Sequence, residues 1–201
     1  ADGQWYRYAF DVRAGQSCEG AQFRFILEKA GTVHIDNFSL IPDNAVYGIF
    51  RRDLAELLKA LRPGFVRFPG GCVVEGNTLA NRYQWKLSVG QPERRRQNWN
   101  RWAIHGAGEE GDFRSPFSHY GQTLGVGYYE YFLLCEYLGA KPLPVVGLGI
   151  ACQYMSKEAV AADDPELEVY IQEALDVVEF ANGGRDSVWG RVRAEMGHPE
   201  P

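Results

Sequence analysis

The sequence predicts an α/β fold with parallel strands, entered from a short antiparallel β segment. Three observations carry this prediction. Apolar and polar residues alternate over the first forty positions, the period lengthens to that of a helix after Pro42, and helical and strand-like runs alternate from there on. Helix, strand, helix, strand, helix is the rhythm of parallel strands joined by helical crossovers.

The first forty residues read as β-structure. Tyr6, Tyr8, Phe10 and Val12 alternate with Arg7, Ala9 and Asp11. Phe23, Phe25 and Leu27 flank Arg24, and Val33 and Ile35 alternate with His34 and Asp36. Turns containing Gly15, Gly20 and Gly31 separate the runs. Three strands are few for an independent sandwich, so residues 1–42 are expected to be the final piece of one. Beyond them, Leu54, Leu57, Leu58 and Leu61 fall at i, i+3, i+4 and i+7, which makes "RRDLAELLKALR" an amphipathic helix. Pro63-Gly64 ends it, and the apolar run Phe65–Phe68 follows as a strand. The polar, aromatic region from Cys72 to about Leu124 exceeds the usual loop length, which points to function or an insertion. "GYYEYFLLCEYLG" predicts a helix closed by Gly139, and "KPLPVVGLG" a second apolar strand. Asp164-Pro165 supplies a cap and a first-turn proline for a third helix. Its expected buried stripe is Leu167, Ile171, Ala174, Leu175 and Val178, and Asn182-Gly183 ends it.

A chain of 201 residues holds one large or two small domains. Its net charge of −5 makes a poor electrostatic case for nucleic acid. The single basic cluster, Arg94-Arg95-Arg96, reads as a solvated loop. No apolar run is long enough to span a bilayer, so no membrane partner is expected. Cys18, Cys72, Cys135 and Cys152 are scattered without a CxxC, and the histidines show no ligand spacing. No metal site and no cofactor are therefore expected. The chain opens almost directly on a strand and stops without a helix cap, so both ends are expected to be cuts through a longer protein.

Both predicted strands end in glycines, at Gly70-Gly71 and at Gly147 with Gly149. In parallel α/β folds the carboxyl ends of the strands carry the site, and glycine lets the backbone approach a ligand. A plain turn suffices for Gly147 and Gly149. The polar loop "CVVEGN" after Gly70-Gly71 points instead to a site. "NRYQW" and "NWNRW" interleave aromatic rings with amides and arginines, as a sugar pocket does. Trp85, Trp99 and Trp102 fit core or loop-pinning roles equally well. "VVGLGIAC" is a partial nucleotide-binding match with Cys152 at the third glycine position, a weak signal.

The run "LRPGFVRFPGGCVVEGNTLANRYQWKLSVGQPERR" resembles the second-strand region of glycoside hydrolase family 51 α-L-arabinofuranosidases. The likeness continues through "QNWNRW", "YGQTLGVGYYEYFLLCEYLGAKPLPVVGLGIACQ" and "YIQEALDVVEFANG" to "WGRVRAEMGHPEP", and so covers nearly everything after Pro42. The leading segment, ending "GTVHIDNFSLIP", resembles the end of a carbohydrate-binding-module-like sandwich. The resemblance implies a partial (β/α)8 TIM barrel over residues 43–201, preceded by the end of an antiparallel β-sandwich over residues 1–42. It implies a retaining glycoside hydrolase that releases terminal α-L-arabinofuranosyl units from arabinans, arabinoxylans or related side chains. In such enzymes the two reacting carboxyls stand about 5 Å apart. Neither is expected in this chain: the family's acid/base glutamate belongs to a Gly-Asn-Glu motif beyond "GHPEP", and its nucleophile lies further on.

Among the residues present, Cys72 transfers best, as a lining residue of the arabinose pocket. A small buried hydrophobe is the alternative reading. Glu75, Asn77 and Trp85 follow as shell or pocket residues, with Glu75 in a supporting loop. Trp102, with Trp99, lines the aglycone side or packs the loop. Arg67 is a buried, paired structural cation or a pocket organiser. The implied partner is an arabinose-containing oligo- or polysaccharide, family members suggest homo-oligomers, and export suits a polysaccharide-degrading system. The rival reading is a non-catalytic carbohydrate-binding module built from the leading strands.

Overall fold

The computed structural model describes residues 4–99, 121–153 and 156–201. The chain divides into two units, Ala1–Asp36 and Asn37–Pro201. In the first, no strand forms among the described residues, against the expectation of an antiparallel ladder. Phe10 and Phe23 stack at 6.2 Å and Phe23 meets Phe25 edge-on at 5.1 Å, yet Tyr8 stays 82% exposed. The alternation is a strand signal, but a strand face gains its stability from a second layer. Three runs do not provide one.

The second unit carries α1 (Arg52–Ala60), β1 (Phe65–Phe68), α2 (Gly71–Glu75), β2 (Asn98–Trp99), β3 (Gly121–Gln122), α3 (Tyr128–Leu138), β4 (Lys141–Pro144), α4 (Leu167–Asn182) and α5 (Val188–Glu195). The helices and strands read from periodicity are present. β1 and β4 pair in parallel, with Phe65 opposite Lys141 and Phe68 opposite Pro144. β2 and β3 form a short antiparallel pair. Among the described residues, no helix is long and apolar enough to cross a membrane.

One face of the parallel pair is covered by α3. The buried Phe68 ring packs on Tyr128 at 5.4 Å, Tyr131 at 4.9 Å and Phe132 at 5.4 Å. The opposite face, with Phe65, Arg67 and Leu143, is open to solvent. Arg67 is thus exposed rather than a buried structural cation. α3 starts at Gly127, whose N–H donates to Glu130 Oε2 at 2.7 Å. A Cβ at Gly127 would come within 2.1 Å of the Ser88 carbonyl oxygen, so only glycine fits this approach. Gly139, at φ 67°, closes the helix in the left-handed region.

Part of the region after Cys72 belongs to the core. Tyr83, Trp85 and Ser88 are buried. The Trp85 ring lies 5.7 Å from Tyr128, 5.6 Å from Phe180 and 4.8 Å from Trp189, and its indole N–H donates to the Glu173 carbonyl at 3.0 Å. This cluster decides which face of α4 is buried. Tyr170, Val177 and Phe180 turn inward, while Ile171, Leu175 and Val178 of the expected stripe remain exposed. Large rings remove more area from water than aliphatic side chains, so the aromatic face wins. α1 likewise buries Ala55 and leaves Leu54, Leu57, Leu58 and Leu61 exposed.

Two arginines hold the unit together. Arg95, read as a solvated loop residue, has a side chain only 1% exposed and pairs bidentately with Glu130 at 2.8 and 2.9 Å. Its remaining donors go to the carbonyls of Gly90 and Leu124. Arg193, buried on α5, donates to the Phe180 carbonyl at 2.6 Å and the Gly183 carbonyl at 2.7 Å, capping the end of α4. Burial pushes its pKa down, partly countered by the Glu200 charge.

Candidate functional site

The candidate site is built where the two parallel strands end. β1 stops at Phe68, the Phe68–Pro69 bond is cis, and Gly70 takes a φ of 123°. α2 follows at once. Val74 N–H donates to the Gly70 carbonyl at 3.0 Å and Gly76 N–H to the Cys72 carbonyl at 3.1 Å. The three-residue spacing sets Cys72 and Glu75 on one face of this turn. Gly76, at φ 74°, is required: a Cβ there would come within 2.7 Å of the Arg82 backbone nitrogen.

The end of β4 meets this turn. Val145 N–H donates to the Phe68 carbonyl at 2.7 Å, continuing the pairing beyond the strands. Cys152 N–H then donates to the Gly76 carbonyl at 3.0 Å. As a result Cys72 Sγ, Cys152 Sγ and a Glu75 carboxylate oxygen all lie within 4.8 Å of one another. Cys152 is buried, and Cys72 and Glu75 are half-buried. The rim is braced from α4 and the loop that precedes it. Arg82 pairs with Glu173 at 3.2 Å and lies 5.0 Å from the centre of the Tyr170 ring, and Leu79 N–H donates to Glu158 Oε2 at 2.7 Å.

The sequence-predicted residues fall out as follows. Cys72 and Glu75 come together at the carboxyl end of β1. Asn77 follows in the same loop, half-buried, with its N–H donating to Asn81 Oδ1 at 3.2 Å and its own Oδ1 buried without a hydrogen-bond partner. Trp85 does not line the site: it is 2% exposed inside the aromatic core, with no ring surface left for a ligand. Trp102 lies outside the described residues, and Trp99 falls in β2. Cys152 was missed. Its signal was the parallel with Cys72: each strand ends in glycines and is followed by a cysteine.

The partial nucleotide-binding match finds no support in its surroundings. A phosphate-binding Gly-x-Gly must open a helix, but the residues after Gly149 bridge back through Ile150 and Ala159, and α4 begins only at Leu167. A Cβ at Gly149 would sit 3.1 Å from Val160 Cβ, so side-chain packing occupies the space a phosphate would need. An apolar cavity of about 220 Å³ lies among Phe132, Cys135, Ala140, Pro142 and Phe180, at the start of β4 and away from the glycine-rich ends.

Comparison with known proteins gives one consistent family. Residues 57–201 match the family described as Alpha-L-arabinofuranosidase 1 domain. The chain is 38% identical over 216 residues to the extracellular exo-alpha-L-arabinofuranosidase of Streptomyces chartreusis, covering 100% of this chain and 24% of that protein. It is 36% identical over 198 residues to alpha-L-arabinofuranosidase 2 of Arabidopsis thaliana, covering 98% of this chain and 26% of that one. The chain thus spans about a quarter of the length of these relatives. Among solved structures it is similar to an arabinose-bound family 51 α-L-arabinofuranosidase, with a TM-score of 0.61 and 34% identity over 75% of this chain and 21% of the other. The thermostable family 51 enzyme of Thermotoga petrophila shares the fold, at a TM-score of 0.53 and 22% identity over 83% of this chain and 26% of that one.

Proposed function

The chain belongs to the α-L-arabinofuranosidase family, and from that premise we propose that it forms an early part of the catalytic barrel of a retaining exo-acting α-L-arabinofuranosidase. The carrying observation is the convergence of Cys72, Glu75 and Cys152 at the carboxyl ends of two parallel strands, the end at which barrel enzymes build their sites. In this reading Cys72 is a wall of the furanose pocket, Glu75 braces its loop, and Asn77 belongs to the same loop, held there by its N–H bond to Asn81 Oδ1 at 3.2 Å.

The open face of the β1–β4 pair fits the same reading. Phe65, Arg67 and Leu143 face the side that further strands would enclose, and the exposed stripes of α1 and α4 face the sides that neighbouring helices would cover. The alternation in residues 6–36 fits strands that complete their pairing within a larger sandwich. The substrate is an arabinose-containing oligo- or polysaccharide, cleaved at terminal α-L-arabinofuranosyl units. The reacting glutamates are assigned to parts of the enzyme other than these 201 residues, which contain no Gly-Asn-Glu motif.

The test compares two proteins on an aryl α-L-arabinofuranoside. The longer protein that carries this chain is expected to hydrolyse it with retention of anomeric configuration, read by proton NMR of the first-formed sugar. The 201-residue chain alone is expected to show no turnover. Turnover by the isolated chain, or inversion by the longer protein, overturns the assignment.

A further inference from the structure

We propose that Cys72, Glu75 and Cys152 form a binding site for a thiophilic divalent cation of the zinc class. Two sulfurs and a carboxylate oxygen already lie within 4.8 Å of one another. A tetrahedral zinc with sulfur at about 2.3 Å and oxygen at about 2.0 Å holds its sulfurs about 3.8 Å apart and sulfur and oxygen about 3.5 Å apart, so closure onto an ion draws them together by at most about 1.3 Å. The backbone holds these ligands in place. Cys72 and Glu75 are fixed one turn apart on α2, and Cys152 is tied to the end of that turn through the Gly76 carbonyl at 3.0 Å.

The donor set selects the ion. Two thiolates with one carboxylate favour zinc or cadmium over calcium or magnesium, which prefer all-oxygen shells. Three protein ligands leave a fourth position for water or an outside group, the open form of a zinc site. Burial of Cys152 keeps one side dry, and the half-buried Cys72 and Glu75 leave an entry side. Binding replaces two S–H bonds by two sulfur–metal bonds and releases two protons to solvent, with no change in oxidation state. No short ligand spacing shows this, because Cys72 follows β1 and Cys152 follows β4, and the parallel pairing of the two strands unites them. The proposal does not depend on the sugar-pocket reading, and where both hold, ion and sugar compete for Cys72.

The test is a cadmium titration of the reduced, metal-free longer protein that carries this chain, followed by the ultraviolet thiolate-to-cadmium charge-transfer band in excess of that given by its double Cys72→Ser, Cys152→Ser variant. Cys135 is a built-in control, because burial pushes its thiol up to about 11 and it lies outside the cluster. The expected result is saturation at one cadmium per chain, release of two protons per ion, and displacement by zinc. Cys152→Ser is expected to abolish the one-to-one band, and Glu75→Gln to weaken binding by at least about tenfold. If Cys152→Ser does not fold, Cys72→Ser on the half-exposed side carries the same test. Absence of a saturable band, or a titration left unchanged by these substitutions, overturns the proposal.

Discussion

Arg95 and Glu130 make a bidentate pair whose side chains are 1% and 5% exposed, and Arg95 also serves two backbone carbonyls. Removing one partner leaves the other charge buried alone. Glu130→Ala is therefore expected to cost about 3–5 kcal/mol in denaturant unfolding, and joint replacement of both by methionine much less. Asp176 is a second case. Burial pushes its carboxyl up, but the Lys86 ammonium and the Gln172 amide outweigh this and hold it below the ordinary aspartate range. A depressed folded value contributes stability that is full above the ordinary aspartate pKa, about 3.9, and is lost as pH falls through the folded value. Thermal unfolding of the chain and of Asp176→Asn should therefore differ at neutral pH and converge under acid. Persistence of the full difference in acid would remove Lys86 and Gln172 as its cause. Neither side chain could be read from its neighbours in sequence. Arg95 looks like Arg94 and Arg96 until Glu130 arrives from another element, and Asp176 sits between residues of an apolar helix.

At the scale of elements, existence was legible and orientation was not. Period-two and period-3.6 patterns are local, so β1, β4, α1, α3 and α4 could be read before any packing was known. The buried face depends on what the helix meets. α4 is apolar on two sides, and the ring cluster of Trp85, Tyr128 and Trp189 takes the side bearing Tyr170, Val177 and Phe180. Phe180→Ala is accordingly expected to cost about 3–5 kcal/mol. Leu175→Lys, on the face expected from sequence to be buried, should shift stability by no more than about 0.5 kcal/mol. Calorimetry or thermal melts of the two variants decide it, and the reverse order of effects would mean that α4 is turned the other way. The pairing between runs 6–12, 23–27 and 33–36 failed for a related reason, because alternation specifies a half-buried strand but not the layer that buries it.

At the largest scale, a parallel pair with one open face, its outer edges unpaired among the described residues, governs the behaviour of the second unit. Parallel sheets are normally covered on both sides, and unpaired edges invite association. The isolated chain is expected to self-associate with increasing concentration, as read by sedimentation velocity, and a strictly monomeric chain at high concentration would mean that the exposed stripes are covered some other way. The candidate site was half legible. The rule that parallel strands carry sites at their carboxyl ends pointed to Cys72, Glu75 and Asn77 through Gly70-Gly71, while the same pattern at Gly147, Gly149 and Cys152 gained meaning only once β1 and β4 were seen to pair. The proposed place of Cys72 in the wall of an arabinofuranose pocket is open to test by alkylation. In the longer protein that carries this chain, maleimide labelling of Cys72 is followed by peptide mass spectrometry with and without saturating L-arabinose. Labelling of Cys72 is expected to slow in the presence of the sugar, with no change at the exposed Cys18; equal rates at Cys72 under both conditions would mean that it does not face the sugar.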